Sequence, residues 1–338
     1  MKRGLKRWAT VGALVASGLL ASCGKAPHQD EHYVFVAANI QLSYWQEAQA
    51  GFKDAVRQLG FGVNADFVGP EAFSPNDELD AFEKAAATHP TGIIVAPVDA
   101  KLFKGAIDEA VQDGTPVICI DSDAPGSKRL MFIGTDNYKV GTASAKRLAE
   151  ALNGEGFVVI ITIPGQLNLE ERRHAALDVF AGYPKIKVIQ TIDDKGDPRQ
   201  ANDAVTAMLD AHKDFDGVLA LEASGGPGAG EAFHRLNLDG KVPIVAMDKD
   251  PETLDFISTG AVVSSVAQKP YTMAFYALRF LDDLHHNAVQ QFTNWRTAPA
   301  SPLPTLVDTG FGIVNKKDLD AFQAAAATYT HQPGQMEP

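Results

Sequence analysis

From Tyr33 onward, short runs of β-branched and apolar residues alternate with longer stretches whose apolar residues recur every three or four positions. Tyr33–Ala38 predicts a strand. Tyr44–Leu59 predicts a helix, with Trp45, Ala48, Phe52, Ala55 and Leu59 on one stripe and Gly60 as a stop signal. Val63–Val68 predicts a second strand. Ser74-Pro75-Asn76-Asp77 then supplies an N-cap serine, a proline at the first helical position and an acid at the third, ahead of a helix over Glu78–Thr88. Gly92–Ala96 reads as strand, Ala100–Asp113 as helix and Pro116–Asp121 as strand. Strict alternation of this kind predicts a parallel sheet with helices on both faces.

The same order returns in the second half. Glu171–Gly182 is predicted helical, Lys187–Ile192 strand, Ala201–Ala211 helix, Gly217–Leu221 strand, Gly228–Leu236 helix and Pro243–Asp248 strand. Asp197-Pro198-Arg199-Gln200 repeats the cap-and-proline opening. Local texts match too: Gly92-Ile93-Ile94-Val95 answers Gly217-Val218-Leu219-Ala220, and both halves close on a strand ending in aspartate. The offset is 125 residues between Gly92 and Gly217 and 127 between Asp121 and Asp248. That is too long for a solenoid, whose repeats run about 20–50 residues. It predicts two similar doubly wound α/β lobes, with ligands collecting at the carboxyl ends of the strands and a hinge between the lobes.

Composition narrows the function. The chain has 338 residues, 45% hydrophobic and 21% charged, which is ordinary globular usage. A net charge of −12 argues against holding nucleic acid by a basic face or lying on anionic lipid.

The first residues read as an address. Lys2, Arg3, Lys6 and Arg7 precede the apolar run Ala9–Leu20, which is too short to span a bilayer and fits the core of a secretory signal. It ends in Leu20-Ala21-Ser22-Cys23, which resembles the bacterial lipobox, where the cysteine becomes the lipidated first residue. The alternative is a plain signal peptide cut near Ala21. Loss of the four basic residues takes the net charge from −12 to −16. Cys119 is then the one remaining thiol, so no disulfide is expected, and it reads as a buried core residue.

Several segments in the right order carry a family resemblance. They are Asn39-Ile40-Gln41-Leu42-Ser43-Tyr44-Trp45, Ile133-Gly134-Thr135-Asp136-Asn137-Tyr138-Lys139-Val140-Gly141, Val245-Ala246-Met247-Asp248, Val266-Ala267-Gln268-Lys269-Pro270 and Val307–Val314. Together they resemble the type I periplasmic sugar-binding proteins of the ribose/galactose kind, over about Tyr33 to Asp320. The resemblance implies two lobes joined by a three-crossover hinge, with Asp136, Asn137, Gln268 and Asp308 in the crossovers. It divides the chain into a signal peptide (1–22), anchor and tether (23–32), first lobe (33–135 plus 269–308), second lobe (136–268 plus 309–328) and a disordered tail (329–338).

A sugar has C–H faces that stack on aromatic rings and hydroxyls that both donate and accept. The resemblance assigns Tyr44 and Trp45 as aromatic walls, and Asp121, Arg173, Asp248 and Gln268 as the polar fence. Gln41 lies on the same loop as the aromatics. Asp123 stands two residues beyond Asp121, and Glu222 ends a strand where the family has asparagine. The family's second-lobe aromatic falls at Gly196 and its first-loop asparagine at Leu42, so a less sandwiched, more acidic pocket is expected.

Other signals are weak. Gly225-Gly226-Pro227-Gly228-Ala229-Gly230 lacks the P-loop lysine and a dinucleotide fingerprint, and reads as a tight turn. Asp193–Asp197 lacks calcium-loop spacing, and His285-His286 reads as exposed. No metal constellation, cofactor motif or nucleophile–base pair is legible, so neither an enzyme nor a cofactor is expected. The expected function is extracytoplasmic capture of a small polar ligand, a monosaccharide or polyol, for an ABC permease. The protein is expected to be monomeric and membrane-held only through its lipid. The alternative is a sensory receptor of the same fold.

Overall fold

The computed structural model describes residues 28, 30–211, 214–286 and 303–330. The signal and lipobox expectations, including Cys23, fall outside the described residues, as does most of the expected tail.

The first lobe begins β1 (Glu31–Val36), α1 (Ser43–Leu59), β2 (Val63–Val68), α2 (Pro75–Ala86), β3 (Gly92–Val95), α3 (Ala100–Gln112), β4 (Val117–Ile120) and β5 (Met131–Gly134). The second has α4 (Asn137–Ala151), β6 (Glu155–Thr162), α5 (Leu167–Ala181), β7 (Lys185–Asp193), α6 (Pro198–Asp210), β8 (Gly217–Ala220), α7 (Gly225–Arg235), β9 (Ile244–Met247), α8 (Pro251–Thr259) and β10 (Val262–Ala267). The chain then returns through α9 (Pro270–His286) and β11 (Leu306–Asp308), and ends in β12 (Gly312–Asn315) and α10 (Leu319–Thr330).

The two sheets repeat one topology. Their orders are β11-β5-β4-β3-β1-β2 and β12-β10-β9-β8-β6-β7, so the first five strands of each half occupy equivalent places. The edge strands differ: β11 runs parallel to β5, whereas β12 runs antiparallel to β10. Period-2 alternation sends β1 residues to opposite faces. Tyr33 and Phe35 join one apolar cluster, Val34 and Val36 the other. In β6, Val159 and Ile161 part from Val158 and Ile160 in the same way. Cys119 is fully buried, and burial pushes its thiol pKa up, as suits an inert core residue.

Local chemistry sets the element starts. Ser74 and Asp197 accept from the backbone N–H of Asp77 and Arg199, as their prolines at the first helical positions led one to expect. Two boundaries differ instructively. β1 starts at Glu31 rather than Tyr33, because Glu31 and His32 already pair with Val63 and Asn64 of β2. The glycine run at 225–230 is not a turn but the opening of α7. A Cβ at Gly226 would lie 2.5 Å from Ala246 Cβ, and one at Gly228 would lie 2.4 Å from Pro198 O, so these glycines let the helix sit close to β9 and α6.

Helices α1 and α9 cross at Gly51, where a Cβ would lie 2.1 Å from the Tyr271 carbonyl oxygen. Overpacking a backbone contact of this kind costs about 1–3 kcal/mol. Gly51→Ala is therefore expected to lower the denaturation midpoint of the protein, measured by urea titration.

Candidate functional site

The strands of both sheets point their carboxyl ends at one cavity between the lobes. Its lining includes Asn39, Leu42, Tyr44, Trp45, Phe73, Asp121, Gln166, Asn168, Arg172, Gly196, Glu222, Asp248 and Gln268, around about 550 Å³ of empty space including the mouth.

Two aspartates form its axis. Asp121 follows β4 and Asp248 follows β9, at equivalent points of the two halves. Both hold left-handed backbone, φ 60° and 65°. Aspartate tolerates that region better than most residues, and clustering of such conformations at binding sites is general. The backbone N–H of Asp121 still reaches the Ile133 carbonyl, and that of Asp248 reaches Val266. The kink thus keeps the ladder and turns each carboxyl out of it. Tyr44 Oη donates to Asp121 Oδ1 at 2.6 Å, and Asn168 Nδ2 donates across the cleft to Asp121 Oδ2 at 3.3 Å. Gln268 donates to Asp248 Oδ1 through its backbone N–H at 3.3 Å and its Nε2 at 3.4 Å.

Arg172 ties these groups together. It is 2% exposed, and it donates from Nε to Asn137 Oδ1, from Nη1 to the Leu221 carbonyl and from Nη2 to Gln268 Oε1, each at 2.9 Å. A guanidinium has five N–H donors, so two remain for the cavity it lines. The expectation for Arg173 is corrected here. Arg173 points away and pairs with Glu170 one turn back, at 2.8 Å. The buried stripe of α5 runs through Asn168, Leu169, Arg172, Ala176 and Phe180, and the next residue is turned about 100° off it.

Other expected residues divide. Tyr44, Trp45, Glu222 and Gln268 line the cavity. Gln41 is exposed and stands outside this cavity, in the adjoining grooves with Arg199. Asp123 is not in the lining: the Arg129 guanidinium fork and the Ala124 N–H occupy its carboxylate. Phe73, Asn168 and Gln166 had no motif to announce them, and Asn39 opens the first-loop segment without having been singled out. Phe73 and Ile163 supply the apolar wall opposite Gly196. A Cβ there would lie 3.9 Å from Phe73 Cβ and 3.4 Å from Ile163 Cδ1, so the expected gap is partly filled from both lobes.

Glu222 accepts from the backbone N–H groups of Ser224 and Gly225, at the start of α7. Behind it, Asp194 is fully buried, and its carboxyl pKa is pushed up to about 10 by burial, the Glu222 charge and a hydrogen bond with Glu222. Asp194 therefore favours its protonated form beside Glu222. Burial also raises Asp248, to about 8, against the pull of Arg172, and raises Asp121 against Arg172 and Tyr44.

The crossovers meet beside the cavity. The Asp136 N–H donates to Asp308 Oδ1 at 3.3 Å, and the Thr309 N–H donates to the Gly134 carbonyl at 2.8 Å. Asn137, next to Asp136 on the first crossing, and Gln268, on the second, both reach Arg172. Lys249 pairs with Glu47 of α1 on the opposite lobe.

Paired α/β lobes with a polar clasp between them and three crossovers at one side define a hinged binder of small solutes. The chain belongs to the periplasmic binding protein family, whose domain profile matches residues 33–287. It is 24% identical to the D-allose-binding periplasmic protein of Escherichia coli (strain K12), over 74% of this chain and 83% of that one. Among solved structures it is similar to an arabinose-binding protein from Geobacillus stearothermophilus, with 33% identity, TM-score 0.70, and coverage of 87% of this chain and 99% of that one. A carbohydrate-transporter solute-binding protein from Agrobacterium radiobacter, in complex with D-arabinose, aligns at 29% identity and TM-score 0.78, over 88% and 98%.

Proposed function

We propose that this protein captures a neutral monosaccharide between its lobes outside the cytoplasm and delivers it to an ABC importer. The observation that carries the reading is the clasp: Asp121 and Asp248 at matched strand ends, with Arg172 and Gln268 between them and Tyr44 and Trp45 as the aromatic wall. Carboxylates, an amide and a guanidinium suit the donor–acceptor edge of a sugar, and the rings suit its C–H face. Arabinose binding by two of the similar structures favours a pentose first and a hexose second. Asp121, Arg172, Asp248, Gln268, Trp45 and Glu222 are the proposed ligand contacts. Asp136, Asn137 and Asp308 bend with the hinge.

The test is a thermal-shift screen of the purified protein against pentoses, hexoses, polyols, amino sugars and nucleosides. A ligand at 100 times its Kd stabilises by about 2.7 kcal/mol, so a rise confined to one or two monosaccharides is expected. A rise with nucleosides alone, or silence throughout, would sink the sugar assignment.

Anchoring follows from Leu20-Ala21-Ser22-Cys23. No helix among the described residues is long and apolar enough to cross a membrane. Cys23→Ser is expected to move the protein from the membrane to the soluble fraction, read by fractionation and immunoblot; a variant still in the membrane pellet would refute lipidation.

A further inference from the structure

At the far end of the first lobe, four side chains from distant parts of the chain converge. His28 precedes β1, Glu31 opens it, and Asp282 and His286 lie one turn apart at the end of α9. One ligating atom from each lies within 4.8 Å of the others. β1 spans six residues between this cluster and the loop that enters the sugar cavity, so the two places lie about 20 Å apart.

We propose that His28, Glu31, Asp282 and His286 form a structural site for a divalent transition metal, zinc foremost. The spacings suit it. His28 Nδ1 lies 3.2 Å from Glu31 Oε2 and 3.5 Å from Asp282 Oδ1, and His286 Nε2 lies 2.6 Å from Glu31 Oε1 and 3.7 Å from Asp282 Oδ1. Tetrahedral zinc with nitrogen and oxygen ligands at about 2.0–2.1 Å sets neighbouring ligand atoms roughly 3.3 Å apart, within this spread.

The second observation is independent of spacing. Asp282 is 5% exposed, and its Oδ1 has no hydrogen-bond partner although it faces both imidazoles. Glu31 is 2% exposed. The two buried carboxylates bring a charge of −2, which a divalent ion cancels. The Tyr33 hydroxyl donates to Glu31 Oε2 at 3.2 Å and orients it from behind, as outer partners of metal ligands do. Two nitrogens and two oxygens favour zinc over the oxygen-only sets of calcium and magnesium. Four protein ligands leave no open position, so the ion clips the entry of β1 to the end of α9 and carries no chemistry.

The test uses the full-length protein, stripped with EDTA and dialysed against Zn²⁺, with bound metal measured by mass spectrometry. Wild type and His285→Ala should each retain one Zn²⁺ per chain and melt at a higher temperature with Zn²⁺ than in EDTA. The His28→Gln, His286→Gln double variant should bind Zn²⁺ at least 100-fold more weakly. It should also lose the Zn²⁺-dependent rise in melting temperature, while melting in EDTA as wild type does. Retention of stoichiometric zinc by the double variant, no zinc on wild type, or retention of Ca²⁺ that Zn²⁺ fails to displace would each overturn the proposal.

Discussion

Arg172→Met is expected to weaken sugar binding at least 100-fold, about 2.7 kcal/mol, while Arg173→Ala leaves it unchanged. The substitution keeps much of the side chain's length but removes a charge 2% exposed, and strands Asn137 Oδ1, the Leu221 carbonyl and Gln268 Oε1 without their donor. Hydrogen bonds to charged groups contribute about 1.5–3 kcal/mol each. Arg172 also stands as the positive charge beside Asp121 and Asp248. Isothermal titration of both variants with the sugar found in the screen decides it. Equal losses at the two positions would put the clasp elsewhere.

Asp248→Ala is expected to cost at least tenfold in affinity, since one charge-assisted hydrogen bond of about 1.5–3 kcal/mol is lost. The same residue sets a pH dependence. In the ligand-free cavity, burial holds its pKa at about 8. Hydroxyls donating to it favour the charged form, so the bound protein has the lower pKa and binding releases a proton. Affinity therefore rises with pH up to about 8 and is flat above it. Asp248→Asn keeps the shape and should abolish the slope. Titrations in two buffers of different ionisation enthalpy count the proton: identical heats for wild type would refute proton release.

The repeat was legible because it is written in hydrophobic runs, which survive as local text. Asp121 and Asp248 could be found because each closes an apolar strand. What the sequence hid has physical causes. Arg172 and Arg173 are neighbours with identical chemistry, and only the stripe Leu169, Arg172, Ala176 tells which one the helix turns inward. A charged residue on an apolar stripe was the overlooked clue. Asp123 looked like a ligand by proximity, yet Arg129, six residues on, was free to take it. Phe73 sits in a loop without periodicity, and Asp194 lies in an acidic stretch that was read only for its lack of calcium-loop spacing. The grouping of Glu31 with His286 joins positions 255 apart, for which no sequence spacing exists.

The opening of α7 bears on which molecules are refused. A glycine-rich helix start at the end of a strand is, in many α/β proteins, where phosphate rests. Here Glu222 already takes the Ser224 and Gly225 N–H groups, with the buried Asp194 behind it. The positive end of the helix is spent on an internal anion, and Asp121 and Asp248 face the same space. A sugar phosphate would find those two helix-start N–H groups already taken. The occupied helix start is therefore expected to favour a free sugar over its phosphate ester, an expectation that titration of the protein with a sugar and with its phosphate checks.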